Sequence, residues 1–231
     1  MSGVTVREIL RRYSSYYAAL TPALRERFES RLADLLMHVD FVPEGLRGDV
    51  NMEMKIVIAS AQIQLTLGLD QFIPQRFKTI VVLPTGYRLS EIKKRVIGHV
   101  DSRTSEIHLS WRNVQHGFRV QDDAINVALH EFAHWLEFES RLDRFDNSLL
   151  CKFEFSDWRK VAQQKLLTIR ANQNEFLKDY GGKNLVELFA VSVEAFFEQP
   201  ESFKQKLPEL YERLVVLLNQ DPTNRASPFE N

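Results

Sequence analysis

The sequence predicts an α+β fold, mostly helical, with a small antiparallel-containing sheet placed before the helix that carries the candidate site. Three observations predict it. Apolar residues recur at three- and four-residue spacing over the first third of the chain and again over its second half. Thr79-Ile80-Val81-Val82-Leu83 is a short apolar run stopped by Pro84, a strand signal. Two more short runs, 96–101 and 106–111, flank Ser102-Arg103-Thr104-Ser105 and read as a hairpin.

Each element follows from local chemistry. Residues 6–20 carry helical periodicity. Thr21-Pro22 restarts the chain as a second helix, with Thr21 as N-cap and Pro22 at the first helical position, where its missing N–H costs nothing. That helix runs to about His38, with Leu24, Phe28, Leu32, Leu35 and Leu36 on the core side. A third, about 51–67 and rich in Ala, Ile and Val, is expected to stop at Gly68. After the strands come helices at about 122–139, 156–171, 184–198 and 207–219. There are no internal repeats, low-complexity tracts or linker. The expectation is one domain over 1–231, with an N-terminal helical part (1–70) and a catalytic core (79–222).

Composition narrows the function. The chain has 231 residues, 44% hydrophobic and 26% charged, an ordinary globular mixture. Lys+Arg is 30 and Asp+Glu is 31, for a net charge of −1, which argues against a nucleic-acid binder. A single cysteine, Cys151, excludes an intramolecular disulfide and a CxxC-type metal site. Any protein-held transition metal must then rest on His and carboxylates. No apolar run approaches the roughly 18 residues of a membrane span. No secretory signal is evident either, so a cytoplasmic location is expected.

The strongest local motif is His130-Glu131-Phe132-Ala133-His134 within a helical pattern. Positions i and i+4 project from one helix face, so both imidazoles can bind one Zn²⁺. Glu131 lies on a neighbouring side of the same turn and can act as a base without ligating the metal. The surrounding Ala124, Val127, Ala128, Phe132 and Ala133 suit a packed helix, where unpaired polar groups are costly. Three protein ligands are wanted for catalytic zinc. Glu137 shares the histidine face but falls a turn too far along. The remaining candidates are Glu187 and Glu194, seven apart on one face of a later apolar helix. Glu187 has two readings: ligand, or a capping-box partner of Asn184 three residues earlier.

Gly98-His99-Val100, Ile107-His108-Leu109-Ser110-Trp111, Gly117-Phe118 and Asn126 through Leu136 together resemble the Mlc titration factor A (MtfA) family of zinc-dependent peptidases. The resemblance continues through Tyr180-Gly181-Gly182-Lys183-Asn184-Leu185-Val186-Glu187, Glu194-Ala195-Phe196-Phe197-Glu198, Pro208-Glu209-Leu210-Tyr211 and Gln220-Asp221-Pro222. It covers nearly the whole chain and departs at Glu137 and at Gly181-Gly182-Lys183. The family is similar in its catalytic core to anthrax lethal factor. The resemblance implies a zincin-like fold and one Zn²⁺ per chain on His130, His134 and Glu187. It implies Glu131 and Tyr180 as catalytic groups, with Glu194 and Asn184 supporting the ligands. It also implies a peptide or protein substrate, processed by peptidase chemistry of which an aminopeptidase is one form, and as an alternative a transcriptional repressor bound and titrated as partner. No direct nucleic-acid or membrane partner is expected. His99 and His108 are expected on the hairpin surface, where an edge could pair with an extended peptide. His116 is expected in a turn before Gly117, His38 at a helix end, and Lys93-Lys94-Arg95 as a solvated charge run.

Overall fold

The computed structural model describes residues 5–89, 94–142, 149–172, 176–177 and 179–224, with backbone alone at 142, 170–172 and 179–180. The first periodic stretch is two helices, α1 (Val6–Tyr13) and α2 (Ser15–Ala19). Thr5 and Glu8 close a capping box at the start of α1. Ser14 breaks the run, because its side chain accepts from the Tyr17 N–H and starts α2 afresh. Helix α3 (Pro22–His38) begins as expected, with Thr21 accepting from the Leu24 N–H, and ends at His38.

Helix α4 (Met52–Thr66) is capped by Asn51 and is buried along most of its length, so it crosses the middle of the core. Gly68 has a different purpose from the left-handed stop expected of it. A Cβ there would lie 2.2 Å from the Asn219 carbonyl oxygen and 2.3 Å from that of Leu218. Its missing side chain lets the end of α4 abut the end of helix α10 (Pro208–Leu218).

The sheet is mixed. Its order is β1 (Asp40–Pro43), β2 (Thr79–Leu83), β6 (Glu106–Ser110), β5 (Gly98–Asp101). β1 and β6 run parallel to β2, with Phe41 opposite Ile80 and Ile80 opposite Ile107. β5 runs antiparallel to β6 and forms an edge, with His99 opposite His108. The hairpin is therefore present, but Val96 belongs to another strand and Trp111 to a helix. A separate ribbon pairs β3 (Tyr87–Leu89) with β4 (Lys94–Val96). β1 escapes a sequence reading because none of its residues is buried and no alternation marks it.

Helix α5 (Trp111–Arg119) follows β6 directly, so His116 sits in a helix rather than a turn. Gly117 is helical too. A Cβ on it would meet Asn126 Cα at 3.0 Å, so glycine permits the close approach of the next loop. Helix α6 (Val127–Leu142) starts five residues later than the periodicity suggests. The delay has a backbone cause: Ala124 has φ 52°, a left-handed conformation that a helix cannot continue through. Helices α7 (Lys152–Asn172), α8 (Leu185–Glu198) and α9 (Pro200–Lys206) complete the set, with a 3₁₀ turn at Asp179–Gly182. Helix α9 is set off from α8 by Pro200 at its first turn. Phe132, Ala133, Trp135 and Leu136 of α6 and Leu188, Phe189 and Ala190 of α8 all lie in the core.

Candidate metal centre

Two helices distant in sequence build the site. Asn126 starts α6: its Oδ1 accepts from the Leu129 N–H at 3.2 Å and its carbonyl from the His130 N–H at 2.9 Å. His130 and His134 then fall on one face, a turn apart. Asn184 starts α8, its Oδ1 accepting from the Glu187 N–H at 2.9 Å. The expected alternatives for Glu187 thus divide between its backbone and its side chain. The backbone N–H is capped by Asn184, while the carboxylate turns to the histidines. Asn184 touches the backbone of Glu187 rather than its carboxylate.

His130 Nε2, His134 Nε2 and Glu187 Oε2 converge. The separations are 3.1 Å between the two nitrogens, 3.4 Å from His130 to Glu187 and 3.8 Å from His134 to Glu187. Among the described residues this is the one group of three His, Cys, Asp or Glu donors within 4.8 Å of one another. A tetrahedron with metal–ligand bonds of about 2.0–2.1 Å has edges of about 3.3–3.4 Å. The three donors are spaced accordingly. Glu187 Oε2 is buried and accepts no hydrogen bond from the described residues, and neither does His134 Nδ1 have a partner among them. An unsatisfied buried carboxylate oxygen facing two imidazole nitrogens is what a cation would resolve. The donor set fits a metal ion.

The electrostatics agree. Burial opposes charge on His130, yet the adjacent carboxylates of Glu187 and Glu194 outweigh burial and hold its pKa well above the usual imidazole value. Burial, then the His130 charge, push His134 down to about 4, with Glu187 opposing. Glu187 is lowered: burial works against its charge, and the adjacent His130 with the charges of both histidines overcomes it. A cluster with one proton held among three ligands can exchange that proton for a cation.

Around these donors stand other expected residues. Glu194 is buried and bridges: Oε1 accepts from His130 Nδ1 and Oε2 from the Asn126 N–H, each at 2.7 Å. The first bond favours the tautomer that turns the Nε2 lone pair of His130 toward the other two donors. Glu131 is 6% exposed, and burial, reinforced by Glu187 and Glu194 against the His130 charge, raises it to about 7. Tyr180 lies in the 3₁₀ turn before α8, and its side chain is outside the described residues. Glu137 points away to ion pairs with Arg141 and Arg159, the latter at 2.9 Å.

Sequence reasoning missed several partners. Gly98 lies against the base candidate: a Cβ there would come within 2.7 Å of Glu131 Cγ and 2.8 Å of its Oε1. Asn126 also donates from Nδ2 to Glu198 Oε1 at 3.1 Å. Glu139 accepts from the backbone N–H groups of Gln75 and Arg76, each at 2.7 Å, and ties α6 to the segment before β2. Gly98 and Glu131 are 33 residues apart and the other pairs are over 60 apart, beyond the reach of periodicity. His99 and His108 stack with ring centroids 4.4 Å apart, and Tyr87 OH hydrogen-bonds His99 Nδ1. Tyr87 is pushed above the ordinary tyrosine range by burial and then by the charge of Glu131, so this aromatic group adjoins the same site.

A paired-histidine and glutamate centre on two buried helices is the kind found in metallopeptidases, and comparison with known proteins places the chain among them. It belongs to the glucose-regulated metallo-peptidase M90 family, whose model matches residues 3–217. Among its relatives it is similar to the Mlc titration factor A of Yersinia pestis, 23% identical over 231 residues, covering 93% of this chain and 84% of that one. The same figures hold for the Mlc titration factor A of Yersinia pseudotuberculosis. It is also similar to slr2042, an uncharacterized protein of Synechocystis sp., 26% identical over 215 residues, covering 86% of this chain and 78% of that one. Among the described residues no helix is long and apolar enough to cross a membrane.

Proposed function

We propose that the chain is a zinc-dependent metallopeptidase of zincin-like fold, with residues 1–231 acting as one domain. The observation that carries the reading is the convergence of His130 Nε2, His134 Nε2 and Glu187 Oε2 at tetrahedral-edge spacing beside a buried, unligated Glu131. Zn²⁺ held there supplies a Lewis acid that polarises the scissile carbonyl and acidifies water. Glu131, raised to about 7, takes a proton from the attacking water on its carboxylate and delivers it to the leaving amine. Glu194 orients the His130 ring. The Tyr180 phenol donates a hydrogen bond to the oxyanion as it forms. β5 is an edge strand beside Glu131 and offers a peptide an extended backbone to pair with. Cleavage of a free N-terminal residue is the aminopeptidase form of this reaction. Glu131→Gln is expected to abolish peptide hydrolysis while metal content stays at one zinc per chain; full activity in that variant would remove the assigned role.

The relatives named Mlc titration factor A favour a second reading, in which the chain binds and titrates a transcriptional repressor. A pull-down of that repressor that survives Glu131→Gln would establish binding as a role separate from catalysis.

A further inference from the structure

An open cavity of about 540 Å³, lined by none of the metal-ligand candidates, lies where two parallel strands end. Thr85 and Gly86 follow β2 and form one wall, and α5, which follows β6, forms another. Parallel strands commonly leave ligand crevices beyond their carboxyl ends. The charged lining is of one sign. Arg95 comes from β4; Arg112, His116 and Arg119 share one exposed face of α5 at helical spacing. Among the described residues no carboxylate lines the cavity. In a chain of net charge −1, composition does not dictate such a lining.

These cations are also uncompensated. Among the described residues none of Arg95, Arg112 and Arg119 forms an ion pair. Arg88 stands directly opposite Arg95 in the β3–β4 ladder, where like charges repel. Gly86 keeps this arrangement tight: a Cβ on it would lie 2.9 Å from the Val96 carbonyl oxygen and 3.3 Å from Arg95 Nε. Asn113 accepts from Ser110 Oγ at 2.7 Å through Oδ1, which leaves its Nδ2 as a donor for the cavity.

We propose that this cavity binds a small phosphate-bearing anion carrying two or more negative charges. Guanidinium forks match phosphate oxygens in geometry and remain charged at any physiological pH. Three permanent cations suit a multiply charged group, whereas a lone carboxylate would leave most of the repulsion in place. The volume falls in the range of small-molecule sites. None of the His130, His134 and Glu187 donors lines the cavity, so binding there is expected without a metal on them.

Titration calorimetry of the full chain with pyrophosphate, at ionic strength matched with sodium chloride, tests this. Saturable binding is expected in both the metal-loaded and the chelator-treated protein. The double variant Arg112→Gln/Arg119→Gln should bind at least tenfold more weakly with an unchanged Tm, since both side chains are exposed. Absence of saturable binding would overturn the proposal. So would binding confined to the metal-loaded protein and indifferent to the double variant, which would put pyrophosphate on the metal. A glutamate-rich peptide of matched charge that bound more tightly than pyrophosphate would assign the cavity to acidic peptide and overturn the phosphate reading.

Discussion

His130 and Glu194, 64 residues apart, meet through Nδ1 and Oε1 at 2.7 Å, and the same carboxylate holds the Asn126 N–H at the start of the histidine helix. One buried side chain of α8 thus sets both the ring orientation of a metal ligand and the first turn of the helix that carries it. Glu194→Gln keeps the shape but removes the charge that favours the Nδ1–H tautomer. Metal affinity is expected to fall about 10–100-fold, the usual cost of losing such a partner. Competition with a chromogenic chelator measures it, and unchanged affinity would contradict the assigned positioning.

Gly98 makes a sharper test of Glu131. In Gly98→Ala the new methyl would fall within 2.8 Å of Glu131 Oε1 and of Val127 Cγ2, so the carboxylate must shift. Peptide hydrolysis is expected to drop about tenfold to a hundredfold, as for other small misplacements of a reacting group. Metal content should stay at the wild-type level, because the atoms nearest the new methyl belong to Glu131 and Val127 and not to His130, His134 or Glu187. Equal losses of metal and activity would point to general damage instead.

How much of this was legible in the sequence depended on the range of each interaction. The two histidines and Glu131 were readable because one helical turn joins them. Glu187 was readable only as a choice between ligand and cap, since both need a carboxylate near Asn184. The choice is made by α6 packing across α8, a tertiary fact. Gly98, Asn126 and Glu198 carried no local signal. Gly98 reads as a strand glycine until Glu131 is placed against it. β1 and the β3–β4 ribbon were invisible for another reason: none of their residues is buried, and strands of 4, 3 and 3 residues are too short for an alternation to stand out.

The junction of α4 and α10 predicts a loss of stability. Gly68→Ala would place a methyl 2.2 Å from the Asn219 carbonyl oxygen, a backbone atom that no rotamer change can move. The Asn219 Nδ2 bond to the Gly68 carbonyl, 3.0 Å long, would be strained as well. Overpacking of this kind costs about 1–3 kcal/mol. At about 2–4 °C per kcal/mol for a chain of this size, calorimetry should show a clearly lowered Tm. A wild-type Tm would mean that the two helix ends are not in contact.

Glu198 predicts a pH-dependent stability that a single substitution can isolate. Burial, then the nearby charges of Glu194 and Asp123, push its carboxyl up to about 8, against the bonds it accepts from Asn126 Nδ2 and the Ile125 N–H. In the unfolded chain the same group titrates near 4.3. Below that value both states hold the proton. Between the two values the folded chain binds a proton that the unfolded chain has released, so stability decreases as pH rises. The contribution is complete below the unfolded value and is lost as pH passes through about 8. The neutral amide of Glu198→Gln can still accept from Ile125 and has no proton to lose. The wild-type Tm should therefore fall relative to the variant between about pH 5 and pH 9, by about 2–4 °C for each kcal/mol involved. Calorimetric scans of both proteins across that range measure the difference, and a difference that does not change with pH would refute the half-buried, protonated Glu198.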